Sequence, residues 1–429
     1  MIRRLSMLLS MIGLFGWIGS VIWAEGPVWQ YSADSAIVSL FPLSNYADLQ
    51  GKNSFLAIAA SGVTYRFAVD NRMAGKPLWQ TGMKEQVTGV VSMGFGKSKE
   101  IVLCDASGSA SMVSAATGEV RWVKHMPSPP LCALGVMDGN KKDQTVFIGC
   151  QNGMLYSLAA SPNGFVKGAR FFRDSMQGYF AGAGSEDGHD SLGVQALITI
   201  TDLQNDRPCA LVAAIGKREV RCLSPACFHL SSSQTWVFSP TCDIHALRSI
   251  PDIDQDGISD CAVSCGRDSL YMLSGKTGLV IMHFQTDDSL TCFTAAGFDL
   301  GETMAVAVGD RQGKVYGIVK NKGETSFGVA WLFDLRDGNA ISALAEFTTR
   351  QGEAALGFIV GAQNNKVYVL STKGKKIWSG KTGGTVLSLL SIPGEAADEH
   401  PCIAAGDDGG MVTLFHPTMQ QADRVTPGW

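Results

Sequence analysis

Residues 355–380 read ALGFIVGAQNNKVYVLSTKGKKIWSG. An apolar run ends near Gly361, a polar turn of Gln363, Asn364 and Asn365 follows, and a second run carries Tyr368 at its centre. After another turn at Gly374, a last short run holds Trp378. Short apolar or alternating runs bounded by Gly and Asn are strand signals, and the segment lacks the 3.6-residue spacing of an amphipathic helix. Residues 55–80, 101–122 and 304–333 repeat the unit closely, and residues 146–172, 210–238, 261–284 and 402–417 repeat it in weaker form. Units of about 40 to 50 residues with four short strands each are the mark of propeller blades rather than of a solenoid. The expected fold is therefore all-β, an eight-bladed propeller of four-stranded antiparallel blades. Seven blades is the alternative, because the copy at 210–238 is irregular.

The aromatic residues supply a second reading of the same pattern. The last strand of each copy carries Trp79, Trp122, Phe171 or Phe172, Trp236, Phe284, Trp331 or Trp378, but the final copy stops at LFHPTMQQ without one. The missing aromatic stands at the other end of the chain in GPVWQYS, where Trp29–Gln30 echoes Trp79–Gln80. Residues 27–32 are thus expected to be the outer strand of the last blade, which closes the ring and hides an edge that would otherwise invite aggregation.

These units, SAATGEVRW most clearly and then SGKTGLVIMHF and STKGKKIWSG, resemble the quinoprotein-dehydrogenase-like (PQQ-like) propeller repeat, whose consensus runs from a small residue through Thr-Gly to Trp. The resemblance covers nearly the whole chain past the leader and implies a propeller. A quinone-dependent enzyme of that family would be expected to show an adjacent Cys-Cys pair; none occurs, so pyrroloquinoline quinone is not an expected cofactor. The blades also resemble those of outer-membrane assembly propeller lipoproteins, although no lipobox cysteine follows the apolar leader.

The chain has 429 residues, 45% of them hydrophobic, 17% charged and 49 of them glycine, a composition of packed, turn-rich globular proteins. Its first 24 residues place Arg3 and Arg4 ahead of an uncharged apolar run ending at Ala24, the layout of a secretory signal. The expected organisation is a signal peptide over 1–24 and a single propeller domain over 25–429, exported to the periplasm or the extracellular space. Membrane attachment is expected only if the leader stays uncleaved. The formal charge of −4 becomes about −6 without the leader's two arginines. With no Lys/Arg-rich patch, nucleic acid is not an expected partner. The eleven cysteines are an odd number for an exported chain, and several sit in strand-like runs where Cys acts as a small buried hydrophobe. Mostly structural thiols are expected, with Cys222–Cys227 the nearest loop-like pair for a bridge.

One loop stands out chemically. PDIDQDGISD, residues 251–260, sets Asp252, Asp254, Asp256 and Asp260 around Gly257 directly before an apolar run. Calcium takes about six to eight oxygens, and carboxylates at alternate positions of a tight loop can converge on one ion. The expected ligands are Asp252, Asp254, Asp256 and Asp260 with the Ile258 carbonyl, and the expected role is structural. An EF-hand would need Glu where Val263 stands, so that motif is excluded. The pattern instead resembles the calcium hairpin of FG-GAP repeats in integrin-α-like propellers, where such a loop joins the first two strands of a blade. Reduced versions stand at 137–143, 201–206 and 298–302.

A second loop, residues 173–193, lengthens the interval between two blades and groups Tyr179, Glu186, Asp187, His189 and Asp190, which could bind a metal or exchange protons. No matching cluster elsewhere completes it as an active site. The residues together imply an exported, non-catalytic, monomeric binding or scaffold propeller for a protein or glycan partner. A carbohydrate-active lyase-type or quinone-dependent enzyme is the alternative.

Overall fold

In a computed structural model of the protein we describe residues 26–43, 53–69, 75–95, 98–137, 144–161, 164–165, 170–171, 193–223, 236–298, 303–320, 327–348, 355–394 and 401–417. The leader at 1–24 and the loop residues Tyr179, Glu186, Asp187, His189 and Asp190 lie outside them.

Eight antiparallel sheets follow one another along the chain. Blade one spans 37–82, blade two 87–125, blade three 130–171, blade four 194–238, blade five 244–285, blade six 290–334 and blade seven 341–381. Blade eight takes its three inner strands from 386–415 and its outer strand, Trp29–Ser32, from the other end of the chain. Trp29 lies opposite Leu414 and Ser32 opposite Met411, with Val28 N–H on the Leu414 carbonyl at 2.7 Å and Ala33 N–H on that of Gly410 at 2.8 Å. The ring is closed as the aromatic spacing implied, and the seven-blade alternative falls away. Blade three departs from the plan: its third strand, Leu155–Ser161, pairs with both Gly164–Phe165 and Arg170–Phe171.

Each blade begins with the same irregularity. In all eight inner strands the register slips after the first paired residue, from Ile37/Ser39 in blade one to Val386/Ser388 in blade eight. A bulge adds right-handed twist and bends its strand. Repeated eight times, it turns each inner strand the same way around the axis.

Both faces of a blade are buried against neighbours, which is why the strands read as apolar runs rather than clean alternations. The tryptophans lock these interfaces. The Trp79 indole N–H of blade one donates to the Ala115 carbonyl of blade two at 2.9 Å, and Trp236 of blade four does the same to Gly275 of blade five at 2.8 Å. Beneath the Trp79 ring lies Gly118 at φ 74°, where a Cβ would sit 2.7 Å from the indole. Both the left-handed backbone and the ring demand glycine there, and Gly278 under Trp236 and Gly374 under Trp331 repeat the arrangement. The Thr-Gly…Trp consensus is thus a contact between blades.

The ten described cysteines are all free thiols. Cys222 in particular makes no bridge: it is buried among Val220, Trp236 and Val263 between blades four and five, pointing into apolar packing. Cys227 lies outside the described residues.

Candidate functional site

The acidic stretch is the loop between the inner strand of blade five, Ile244–Ile250, and its second strand, Asp260–Cys265. Oxygens of Asp252, Asp254 and Asp260 lie within 4.8 Å of one another. Asp256 is not one of the three; its Oδ1 accepts the Ile258 N–H at 2.9 Å. Asp252 organises the turn, accepting N–H groups of Gln255 at 2.7 Å and Gly257 at 2.9 Å. Gly257 makes the turn at φ 87°.

Asp260 is fully buried and takes the Ile253 N–H on Oδ2 at 2.7 Å and the Gly275 N–H on Oδ1 at 2.9 Å. Burial pushes its carboxyl up to about 7, with the charges of Asp254 and Asp252 adding to the effect and the two N–H bonds opposing it. Asp252 is also pushed up, chiefly by burial. Three converging carboxylates, one fully desolvated, make a site that either holds protons or takes a hard, oxygen-seeking cation.

The loop also ties three blades together. Leu203 of blade four donates to the Gly257 carbonyl at 3.0 Å, Ser259 N–H donates to Thr201 of blade four at 2.9 Å, and Ile258 is bridged to Asp202. On the other side the Lys320 ammonium of blade six donates to the Ile253 carbonyl. The reduced acidic turn at 201–206 closes on itself, with Asp202 accepting from Gln204 and Asn205.

The second feature is a cavity of about 850 Å³ on the propeller axis, lined by inner strands of blades one, four, five, six, seven and eight. Its walls are mainly aliphatic and hydroxyl side chains, Leu247, Leu344 and Leu389 beside Ser39, Ser249 and Thr294. Several hydroxyls are committed to the ring itself: Ser342 donates to the Val386 carbonyl across blades seven and eight, and Ser388 to that of Ile37 across blades eight and one at 3.2 Å.

Two charges stand in this lining, Arg248 and Glu346. The Arg248 guanidinium sits over the Phe293 ring at 5.9 Å. Among the described residues no hydrogen bond or ion pair reaches the Glu346 carboxylate. Its side chain touches cavity solvent, yet the surrounding walls desolvate it and push its carboxyl above the usual range. Sequence reading did not single out either residue. The available signal was a charge in the middle of the first apolar run of a repeat, in IHALRSI and ISALAEFT.

The class these features define is a closed eight-bladed β-propeller with an open axial cavity and, among the described residues, an acidic loop in blade five that bonds to both neighbouring blades. No family model matches the sequence, and no curated protein matches it. Solved structures do resemble the fold. Sqt1 from Saccharomyces cerevisiae superposes with a TM-score of 0.67 at 12% identity, covering 91% of this chain and 99% of that one. Sqt1 from Chaetomium thermophilum, bound to the N-terminus of the ribosomal protein L10, gives 0.64 at 10% identity with the same coverages, 91% and 99%. BamB from Moraxella catarrhalis gives 0.54 at 15% identity, again over 91% and 99%. At these identities the likeness is one of fold.

Proposed function

We propose that this protein is an exported, non-catalytic propeller that binds a polypeptide partner at its axial cavity, with a calcium ion stapling blade five to its neighbours. The observation that carries the binding reading is the cavity lining. Aliphatic and hydroxyl side chains surround one arginine and one glutamate on separate blades, a surface that suits recognition. Support comes from the Sqt1 structure bound to the N-terminus of a ribosomal protein: this architecture can hold a protein segment. Export rests on the leader's charge and apolar pattern.

For the metal, Asp252, Asp254 and Asp260 would hold the ion, an all-oxygen donor set of the kind calcium takes. When bound it supplies the positive charge that three crowded carboxylates otherwise lack. The test of the binding reading is capture from envelope extract by the chain lacking residues 1–24, run beside an Ala345→Trp variant that fills the cavity. A protein retained by the parent and lost from the variant supports the reading; equal retention by both refutes it.

A further inference from the structure

The inner strands of the eight blades share one register, so their residues can be compared position by position. Glu346 pairs with Phe358 in blade seven. At the same step Pro42 pairs with Phe55, Ser92 with Ile101, Gly135 with Val146, Thr199 with Leu211, Ser249 with Cys261, Ala295 with Val306 and Ser391 with Ile403. One level of the ring is thus built of small or hydroxyl side chains, with a carboxylate in a single blade. A packing role does not account for it: Glu346 is exposed to the cavity, and no described group pairs with it.

The surroundings of this carboxylate are apolar. Leu344, Ala345 and Leu389 line the same cavity, so a charge there is poorly screened and a matching cation is attracted more strongly than at an open surface. Arg248, on blade five, is stacked on Phe293 and forms no ion pair with Glu346. The cavity therefore presents an anionic point and a separate cationic point to whatever enters. Its volume of about 850 Å³ is that of a ligand site and admits a side chain with a few residues of backbone.

We infer that the axial cavity receives a cationic group of an extended polypeptide, an ammonium or guanidinium, and that Glu346 is its recognition residue. The inference rests on the reading of the cavity as the binding surface and names the chemistry that surface selects. A desolvated carboxylate facing an organic cation forms a charge-assisted hydrogen bond, roughly twice as strong as a neutral one. The Arg248 guanidinium is then available to the partner's carbonyl or carboxylate groups, giving the bound segment a direction.

The test is calorimetric titration of the full chain with four short capped peptides: acetyl-Ala-Lys-Ala-amide, Ala-Ala-Ala-amide with a free amino end, acetyl-Ala-norleucine-Ala-amide and acetyl-Ala-Glu-Ala-amide. The lysine peptide or the free-amine peptide is expected to bind at least tenfold more tightly than the norleucine and glutamate peptides, and the stronger of the two identifies a side-chain or terminal cation. Glu346→Gln is expected to remove that tenfold preference while melting like the parent, and Glu119→Gln, just ahead of the outer strand of blade two, to leave it intact. Failure of both the lysine and the free-amine peptide to outbind the norleucine peptide, an unchanged preference in Glu346→Gln, or no binding of any peptide at millimolar concentration overturns the inference. If partner capture is lost in Ala345→Trp but survives in Glu346→Gln, the cavity reading stands and the cationic ligand does not.

Discussion

Trp29 lies opposite Leu414 in the outer ladder of blade eight, and its indole stacks on Phe67 of blade one at 5.3 Å. One side chain from the beginning of the chain thus completes the last blade and fills the interface with the first. Phe55 and Phe67, themselves stacked at 5.6 Å, make that interface rich in aromatic contacts.

Trp29→Ala removes a buried indole from the closure, and large aromatic truncations in cores cost about 3–5 kcal/mol. The expected outcome is a loss of that size in urea denaturation. A loss below about 1 kcal/mol would mean that the ring closes without the indole.

Gly118→Ala meets two obstacles at once, a left-handed backbone and the Trp79 ring. It is expected to destabilise by more than ~1 kcal/mol. Gly82→Ala is the control, because a Cβ there meets nothing within 4 Å. Indistinguishable midpoints for the two variants would remove the Trp–Gly contact from the account of blade packing.

Calcium at the blade-five loop predicts a melting temperature that rises with added calcium and falls on chelation. An ion at about 100 times its dissociation constant contributes about 2.7 kcal/mol. Asp254→Ala, which takes away one of the three converging carboxylates, is expected to abolish the shift. Asp256→Ala is expected to reduce it less, because that side chain is turned to Ile258. A parent chain whose melt ignores chelator would sink the metal reading.

Buried thiols set an alkaline limit. Burial pushes Cys150, Cys222 and Cys292 up to about 12, from an ordinary value of 9.0. For a thiol the raised value means that the fold favours the protonated form. The stabilisation is complete below about pH 9, where both states are protonated, and is lost progressively as pH climbs toward 12, because unfolding releases thiols that then ionise. Urea midpoints should hold level up to about pH 9 and decline above it. Alkylation of Cys150 and Cys222 at pH 8 should be slow in the native chain and fast in urea. Rapid native labelling of Cys150 or Cys222 would contradict the buried placement.

Blade count and closure were legible in the sequence because they depend on a short repeated pattern. Apolar runs, turn residues and a terminal Trp each report a local preference, and eight copies make the weak signal additive. The acidic loop was legible for the same reason, its aspartates lying within nine residues. Which carboxylates converge was not: Asp252, Asp254 and Asp260 come together, while Asp256 satisfies a backbone N–H of its own turn. Nearness in sequence to Cys227 makes Cys222 a candidate for a bridge, but strand register turns it into the interface between blades as a free thiol.

From its residues alone the chain specified strands, turns, eight blades and the strand that completes them, since each follows from contacts between neighbours in sequence or between copies of one pattern. The tertiary structure decided which side chains meet on the axis. Arg248 and Glu346 are far apart in sequence and sit in apolar runs that read as ordinary core. Only the closing of the ring brings their strands around one cavity.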